Sequence, residues 1–294
     1  MQIEKLGYGF KNDYMFRATL QSNERVLRGL VCALMDLREE MVTECRIENP
    51  IILGEEIDEK TCVLDIKILL NNSKRINIEL QTTDYKDWQD RSLLYLCRAF
   101  DDLKKGDKYT ELKPTIHIGI LDFSPFPEEH EFYSEYQLMN VKTHALYNSK
   151  FVMRVLNLTQ IDGASEKEKQ SDLYYWAQLF RATSWEEISM LAEKKEVINE
   201  AVTTIQKLNA DERIKMQCEA QEKYEHDMAS AYSAGISQGI EQGIEQGIEL
   251  GIKALILDNL EERIMPEQIC EKLQKRFGVS EQQAREYIAK YKEV

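Results

Sequence analysis

Residues 62–81 read Cys62-Val-Leu-Asp65-Ile-Lys67-Ile-Leu-Leu70-Asn-Asn-Ser73-Lys-Arg-Ile76-Asn-Ile78-Glu79-Leu-Gln81, two apolar runs divided by a polar turn. Runs this short and this rich in Ile, Val and Leu are expected as strands, at 61–70 and 74–82. Strand side chains alternate between faces. Cys62, Leu64, Ile66, Ile68 and Leu70 therefore share one face, and Val63, Asp65 and Lys67 the other. In the second run Ile76, Ile78 and Leu80 oppose Asn77, Glu79 and Gln81. For Asp65 to face Glu79, opposed positions must sum to 144, which leaves the three-residue turn Asn71-Asn72-Ser73. Such a turn wants a residue in the left-handed region, which asparagine tolerates. A two-residue turn would set Asp65 against Leu80 instead, so turn chemistry and polar face favour the first register.

Two carboxylates facing each other across a hairpin suit a hard divalent cation such as Mg2+ or Mn2+, which prefers oxygen ligands. Such an ion stabilises charge on a phosphate and activates water. The pattern equally suits a half-exposed antiparallel sheet with both acids in water. Embedded as they are between Leu64 and Ile66, and between Ile78 and Leu80, the acids would be costly without a partner or a cation.

Outward from this hairpin, Phe16, Leu20, Leu27, Leu30, Val31 and Leu34 recur at helical spacing, predicting a helix over 13–35. Further strands are expected at 47–53 and 114–122, with weaker candidates at 131–139 and 151–158. A second helix, 87–105, carries Trp88, Leu94, Tyr95, Leu96 and Phe100. The order helix, three strands, helix, strand makes residues 1–160 one α/β unit. Strand signals stop beyond it, and residues 161–234 are expected as a helical region packed on that unit. There Ser184-Trp-Glu-Glu187 forms a capping box opening a helix to about Lys207, and Asp211 caps another to about Tyr232. Residues 235–252 repeat GISQ-GIEQ-GIEQ-GIEL-GI, with glycine at 235, 239, 243, 247 and 251. Those glycines would cost a lone helix roughly 4–5 kcal/mol relative to alanine. The repeat is thus either a self-associating helix or a flexible linker to the tail. The tail, 253–294, reads as a small helical unit, with Pro266 at a helix start, Gly278 past a helix end and Ser280-Glu-Gln-Gln283 as a second capping box.

Bulk charge disfavours a polybasic coat. The chain has 294 residues and a formal charge of −14, with 21 basic against 26 acidic residues over 1–160 and 17 against 26 over 161–294. Contact with DNA therefore needs a local basic groove. No apolar run approaches the ~18 residues of a membrane span. Six cysteines stand far apart with no Cys-x-x-Cys, which speaks against structural zinc and disulfides and for a cytoplasmic setting. His117 alternates with Ile116 and Ile118 and is expected as a satisfied sheet residue.

Four stretches, Lys11-Asn-Asp-Tyr-Met-Phe16, Leu64-Asp-Ile-Lys67, Ile78-Glu-Leu-Gln81 and Asp90-Arg-Ser-Leu-Leu-Tyr95, together with the element order, resemble the PD-(D/E)XK nuclease superfamily. More narrowly, the chain resembles the bacterial recombination-promoting nuclease/putative transposase family over about its first 250 residues. The resemblance implies a restriction-endonuclease-like α-β-β-β-α-β core with a mixed sheet, followed by an all-helical C-terminal half. It also implies cleavage of DNA with a divalent metal, usually Mg2+.

Under that resemblance Asp65 matches the strand aspartate that binds metal, and Glu79 its acidic partner. Leu64 stands where the superfamily name has proline, and Gln81 where it has lysine. Glutamine brings no charge but can orient water or a phosphate oxygen. Lys67 is a candidate for the missing cation, or else a surface lysine with a buried stem. Asp13 aligns with the family's first-helix acid, as a further ligand or as a first-turn acid favoured by the helix dipole. Arg91, Tyr95 and Arg98 share one helix face and can meet phosphates, or pair with Asp87, Asp90, Asp101 and Asp102. The expected protein is a Mg2+-dependent DNA endonuclease linked to recombination or transposition, homo-oligomeric through its helical half. A catalytically degenerate DNA-binding or oligomerising module is the rival.

Overall fold

A computed structural model describes residues 5–51, 53, 65–101 and 103–292. Residues 61–64 of the expected strand, and Asp102, lie outside that set. The chain begins with α1 (Asp13–Ser22) and α2 (Glu24–Met35). One helix was predicted over this stretch. Asn23 divides it by adopting an extended conformation, and its side chain accepts from the amides of Arg25 and Val26 to cap α2. The strands are β1 (Cys45–Ile47), β2 (Ile66–Leu70), β3 (Lys74–Gln81), β4 (Thr115–Leu121), β5 (Tyr133–Met139) and β6 (Leu146–Asn157), with α3 (Trp88–Phe100) between β3 and β4. They form one mixed sheet ordered β1-β2-β3-β4-β6-β5. β3, β4 and β6 run parallel, and the remaining pairs are antiparallel. The α/β core followed by helices is the fold expected from the sequence.

The hairpin register is the one derived above. Ile66 pairs with Ile78, Ile68 with Ile76 and Leu70 with Lys74. Asn71 and Asn72 adopt φ of 49° and 52°, so the three-residue turn does use the left-handed region. The Asn71 side chain also accepts from the amides of Thr43 (2.8 Å) and Glu44 (3.1 Å) and donates to the carbonyl of Met41 (2.8 Å). The turn is thereby tied to the segment leading into β1.

Ile66, Ile68, Leu70, Ile76 and Ile78 are buried together with Phe16, Leu30 and Leu34 of the first two helices. The same core takes in α5 (Asp172–Arg181) and α7 (Glu196–Asn209), which follow the short α4 (Glu166–Lys169). Phe10 stacks on Trp176 and meets Phe16 and Phe180 at ring-centroid distances of 5.2–6.0 Å. Between α5 and α7 lies α6 (Trp185–Ala192), so the helix expected to run from Ser184 to Lys207 is two. Ser184 caps α6 by accepting from the Glu187 amide, but the Glu187 carboxylate takes the amide of Thr183 rather than that of Ser184.

The opposite, polar face of β3 is not solvated, contrary to one of the sequence alternatives. Asn77, Glu79 and Gln81 are buried there, and so is Trp88 of α3. On α3 the buried side chains are Trp88, Ser92 and Leu96, whereas Leu94 is exposed. Gly119 on β4 pairs with Glu79, and a Cβ at that position would stand 2.3 Å from the Trp88 ring. The glycine is what lets the indole lie on the sheet beside Glu79.

Contact density divides the chain at 226/227. The division falls inside α8 (Glu212–Glu261), which runs on through the repeat instead of ending near Tyr232. The second unit packs Ile252 and Ile256 of α8 against Ile269, Cys270 and Leu273 of α9 (Pro266–Phe277) and Ala284 and Ile288 of α10 (Glu281–Lys292). Its caps are those read from the sequence. Gly278 has φ 67°, and Ser280 and Gln283 exchange side-chain and backbone hydrogen bonds of 2.9 and 3.2 Å. Along the repeat, Gly251 packs on the Phe277 ring, while Ile236, Ile240, Ile244 and Ile248 are exposed.

Gly119→Ala should displace α3, because an indole ring has little freedom to yield. Chemical denaturation is expected to show a loss of about 1–3 kcal/mol, and an unchanged midpoint would refute the packing account.

Candidate active site

Asp65 immediately precedes β2, and one further step of the hairpin register sets it against Glu79. Its backbone is fixed from two sides. The Asp65 carbonyl accepts from Arg17 Nη1 (2.6 Å) and Asn49 Nδ2 (2.9 Å). Its carboxylate lies 3.9 Å from Lys67 Nζ. Burial raises its pKa, and Lys67 and Arg17 offset part of that.

Glu79 is 4% exposed. Arg91 of α3 reaches its Oε1 at 2.7 Å, and the same guanidinium donates to Gln81 Oε1. Gln81 Nε2 in turn donates to the carbonyl of Thr83 (2.8 Å), so both ends of that amide are engaged. Glu79 Oε2 has no hydrogen-bond partner and stands 3.5 Å from His117 Nε2, which also lacks one. Burial pushes the Glu79 pKa up to about 7, although Arg91 pulls it down. Burial, and then the Arg91 charge, push His117 down to about 4, so the imidazole is neutral at physiological pH.

A third carboxyl approaches from α1. Asn12 caps that helix, accepting from the Met15 amide at 3.0 Å, and its Nδ2 donates to the carbonyl of Cys218 on α8 (3.1 Å). Asp13 follows directly, with its Oδ1 buried and without a hydrogen bond. Its pKa is driven well up, by burial first and then by Glu225 of α8, with Arg17 opposing and Glu79 and Asp65 adding smaller repulsions. Asp13, Asp65 and Glu79 thus share one electrostatic neighbourhood. Glu225, held by Gln221 Nε2 at 3.2 Å, joins it from the helical half.

A cleft beside this cluster is lined by Asn49, Asp65, Lys67, Arg75, Tyr95 and Arg98. Tyr95 and Arg98 therefore stand where the helix spacing put them. Arg91 does not share their exposure, since its guanidinium is committed to Glu79 and Gln81 rather than to a surface aspartate or to solvent. His117 is a buried sheet residue, as expected, with Nδ1 3.0 Å from Asn77 Nδ2 and Nε2 3.5 Å from Glu79 Oε2. The sequence reading also missed Asn77, Arg17 and Glu225. Asn77 was visible as a member of the polar strand set, but Glu225 lies on a helix with no local sign of a site.

Carboxylate oxygens are the donors a hard cation prefers, and Glu79 Oε2 and Asp13 Oδ1 are buried without a hydrogen bond. Among the described residues, no three His, Cys, Asp or Glu side chains stand close enough to hold an ion as they are placed here.

A family model described as PD-(D/E)XK nuclease family transposase matches residues 9–235. The chain belongs to that family. No curated protein and no solved structure matches it. Membership in the PD-(D/E)XK transposase family supports a nuclease- or transposase-associated function and implies a DNA substrate. PD-(D/E)XK nucleases generally use divalent metals. No described helix is long and apolar enough to cross a membrane.

Raised acid pKa values carry a stability signature. Glu79 contributes its full share of stability below its unfolded value near 4.5 and loses it as pH rises through about 7. Glutamine has no such loss. In cation-free buffer Glu79→Gln should therefore gain about 3 kcal/mol on the wild type between about pH 4 and about pH 8. Urea denaturation across that range reads the difference, and a pH-independent gap would refute the assignment.

Proposed function

We propose that this protein is a divalent-cation-dependent DNA endonuclease associated with recombination or transposition. The observation that carries this reading is the β2–β3 register, in which Ile66 pairs with Ile78 so that one further step would set Asp65 against Glu79, beside a cationic cleft. Asp65 and Glu79 would hold the cation, Mg2+ or Mn2+, with Asp13 as a further ligand. A cation there would stabilise charge on the scissile phosphate and activate water. Tyr95 and Arg98 receive backbone phosphates along the cleft, and Lys67 supplies positive charge beside Asp65.

The charge brought by lysine elsewhere in the superfamily comes here from Arg91, which lies against both Glu79 and Gln81. Gln81 then acts through Arg91, holding the guanidinium on Glu79. The engagement of both ends of its amide supports this over direct contact with water. The same Arg91–Glu79 pair favours a second reading, a catalytically degenerate nuclease fold that binds DNA, because the guanidinium occupies one oxygen of an expected ligand. The described cysteines are free thiols, which supports a cytoplasmic setting.

Plasmid cleavage with Mg2+ or Mn2+ separates the two readings. Asp65→Ala and Glu79→Ala should each lose several kcal/mol of transition-state stabilisation, hence at least ~100-fold in rate, and Gln81→Ala should lose less. Equal cleavage by wild type and Asp65→Ala would refute the endonuclease reading, and DNA binding without cleavage would favour the degenerate one.

Self-association through the helical half is part of the same proposal. The exposed Ile236, Ile240, Ile244 and Ile248 support it over a flexible spacer. Replacing Gly235, Gly239, Gly243 and Gly247 by alanine should lower the sedimenting mass, because the added methyl groups hold backbones apart. A mass equal to that of the wild type would count against the helix as a dimer contact.

A further inference from the structure

Three buried polar atoms on the α3 side of the sheet have no hydrogen-bond partner: Glu79 Oε2, His117 Nε2 and Asn77 Oδ1. Two of them face each other, since His117 Nε2 lies 3.5 Å from Glu79 Oε2. Asn77 and His117 are themselves neighbours across the β3–β4 pair, with Asn77 Nδ2 3.0 Å from His117 Nδ1. Buried polar groups are ordinarily paired.

The chemistry of the asparagine orders these contacts. The side-chain NH2 of an asparagine only donates hydrogen bonds. That NH2 carries two protons, and its nitrogen is the atom beside His117 Nδ1. With one of those protons directed at Nδ1, the imidazole must accept there. Its own proton then resides on Nε2, directed at the open oxygen of Glu79.

We propose that Asn77 and His117 are positioning residues that hold Glu79 through a buried chain, Asn77 Nδ2···Nδ1 His117 and His117 Nε2–H···Oε2 Glu79. The inference rests on the reading of Asp65 and Glu79 as the cation-binding pair. The chain fixes the rotamer of Glu79 from below while Arg91 fixes it from α3. Trp88 and Tyr95 enclose the imidazole, with ring centroids 5.6 and 6.4 Å away, and exclude water that would otherwise compete for Nε2. Partners of this kind orient ligands without touching the ion or the substrate.

The test uses the full-length protein. Long-range 1H–15N correlation spectra, with His117 assigned by comparison with His117→Gln, should show a neutral ring protonated on Nε2. A ring protonated on Nδ1 would overturn the chain, whether or not the protein cleaves DNA. Titration calorimetry with Mn2+ should show His117→Phe binding roughly 10–100-fold more weakly than wild type. His117→Gln keeps an amide donor and should recover most of that loss. Wild-type affinity in His117→Phe would overturn the positioning role. Loss of Mn2+ binding in Asp65→Ala tests the underlying reading separately, because the ring tautomer does not depend on cation binding.

Discussion

The site is organised by one ion pair under a lid of protein, Arg91 on Glu79. A carboxylate 4% exposed is expensive to keep charged, and its pKa of about 7 records that cost. Arg91 reaches it only because α3 lies flat on the sheet. That placement depends on Trp88 occupying the space that a Cβ on Gly119 would fill. The glycine, the indole and the guanidinium are thus successive steps of a single arrangement. Removing one partner of such a pair leaves an uncompensated buried charge, which is more damaging than never having built the pair.

Within this arrangement the glutamine at position 81 has a physical rationale. A lysine there would place an ammonium against the guanidinium of Arg91. Glutamine offers that guanidinium an acceptor and secures its own amide on Thr83.

The hairpin was legible because three independent constraints agreed: alternation, turn length and the tolerance of asparagine for positive φ. The order of elements along the chain and the α/β class followed from similar local signals. What escaped the sequence was chiefly tertiary. Asn23 interrupts a continuous helical pattern with a cap that competes only weakly against propensity. The burial of Glu79, Asn77 and Gln81 could not be inferred from β3 alone, because an alternating strand looks the same whether its polar face meets water or α3. The partners of His117 come from the adjacent strand and the crossover helix. Glu225 reaches Asp13 from more than 200 residues away, through a helix whose own pattern shows no site.

The four-residue spacing of α8 constrains geometry as well as composition. Ile236, Ile240, Ile244 and Ile248 form a single i, i+4 ridge, beside a furrow of glycines at the same spacing. Ridges of this type incline by about 26° to their axis, and two of them interlock at a crossing of roughly 50°. A helix seated in that furrow would cross α8 obliquely instead of running along it. It would touch only a turn or two on either side of the crossing point. Additional repeats would then multiply equivalent seats without deepening any one of them, so the length of the tract would govern where contact is made rather than how strongly it holds.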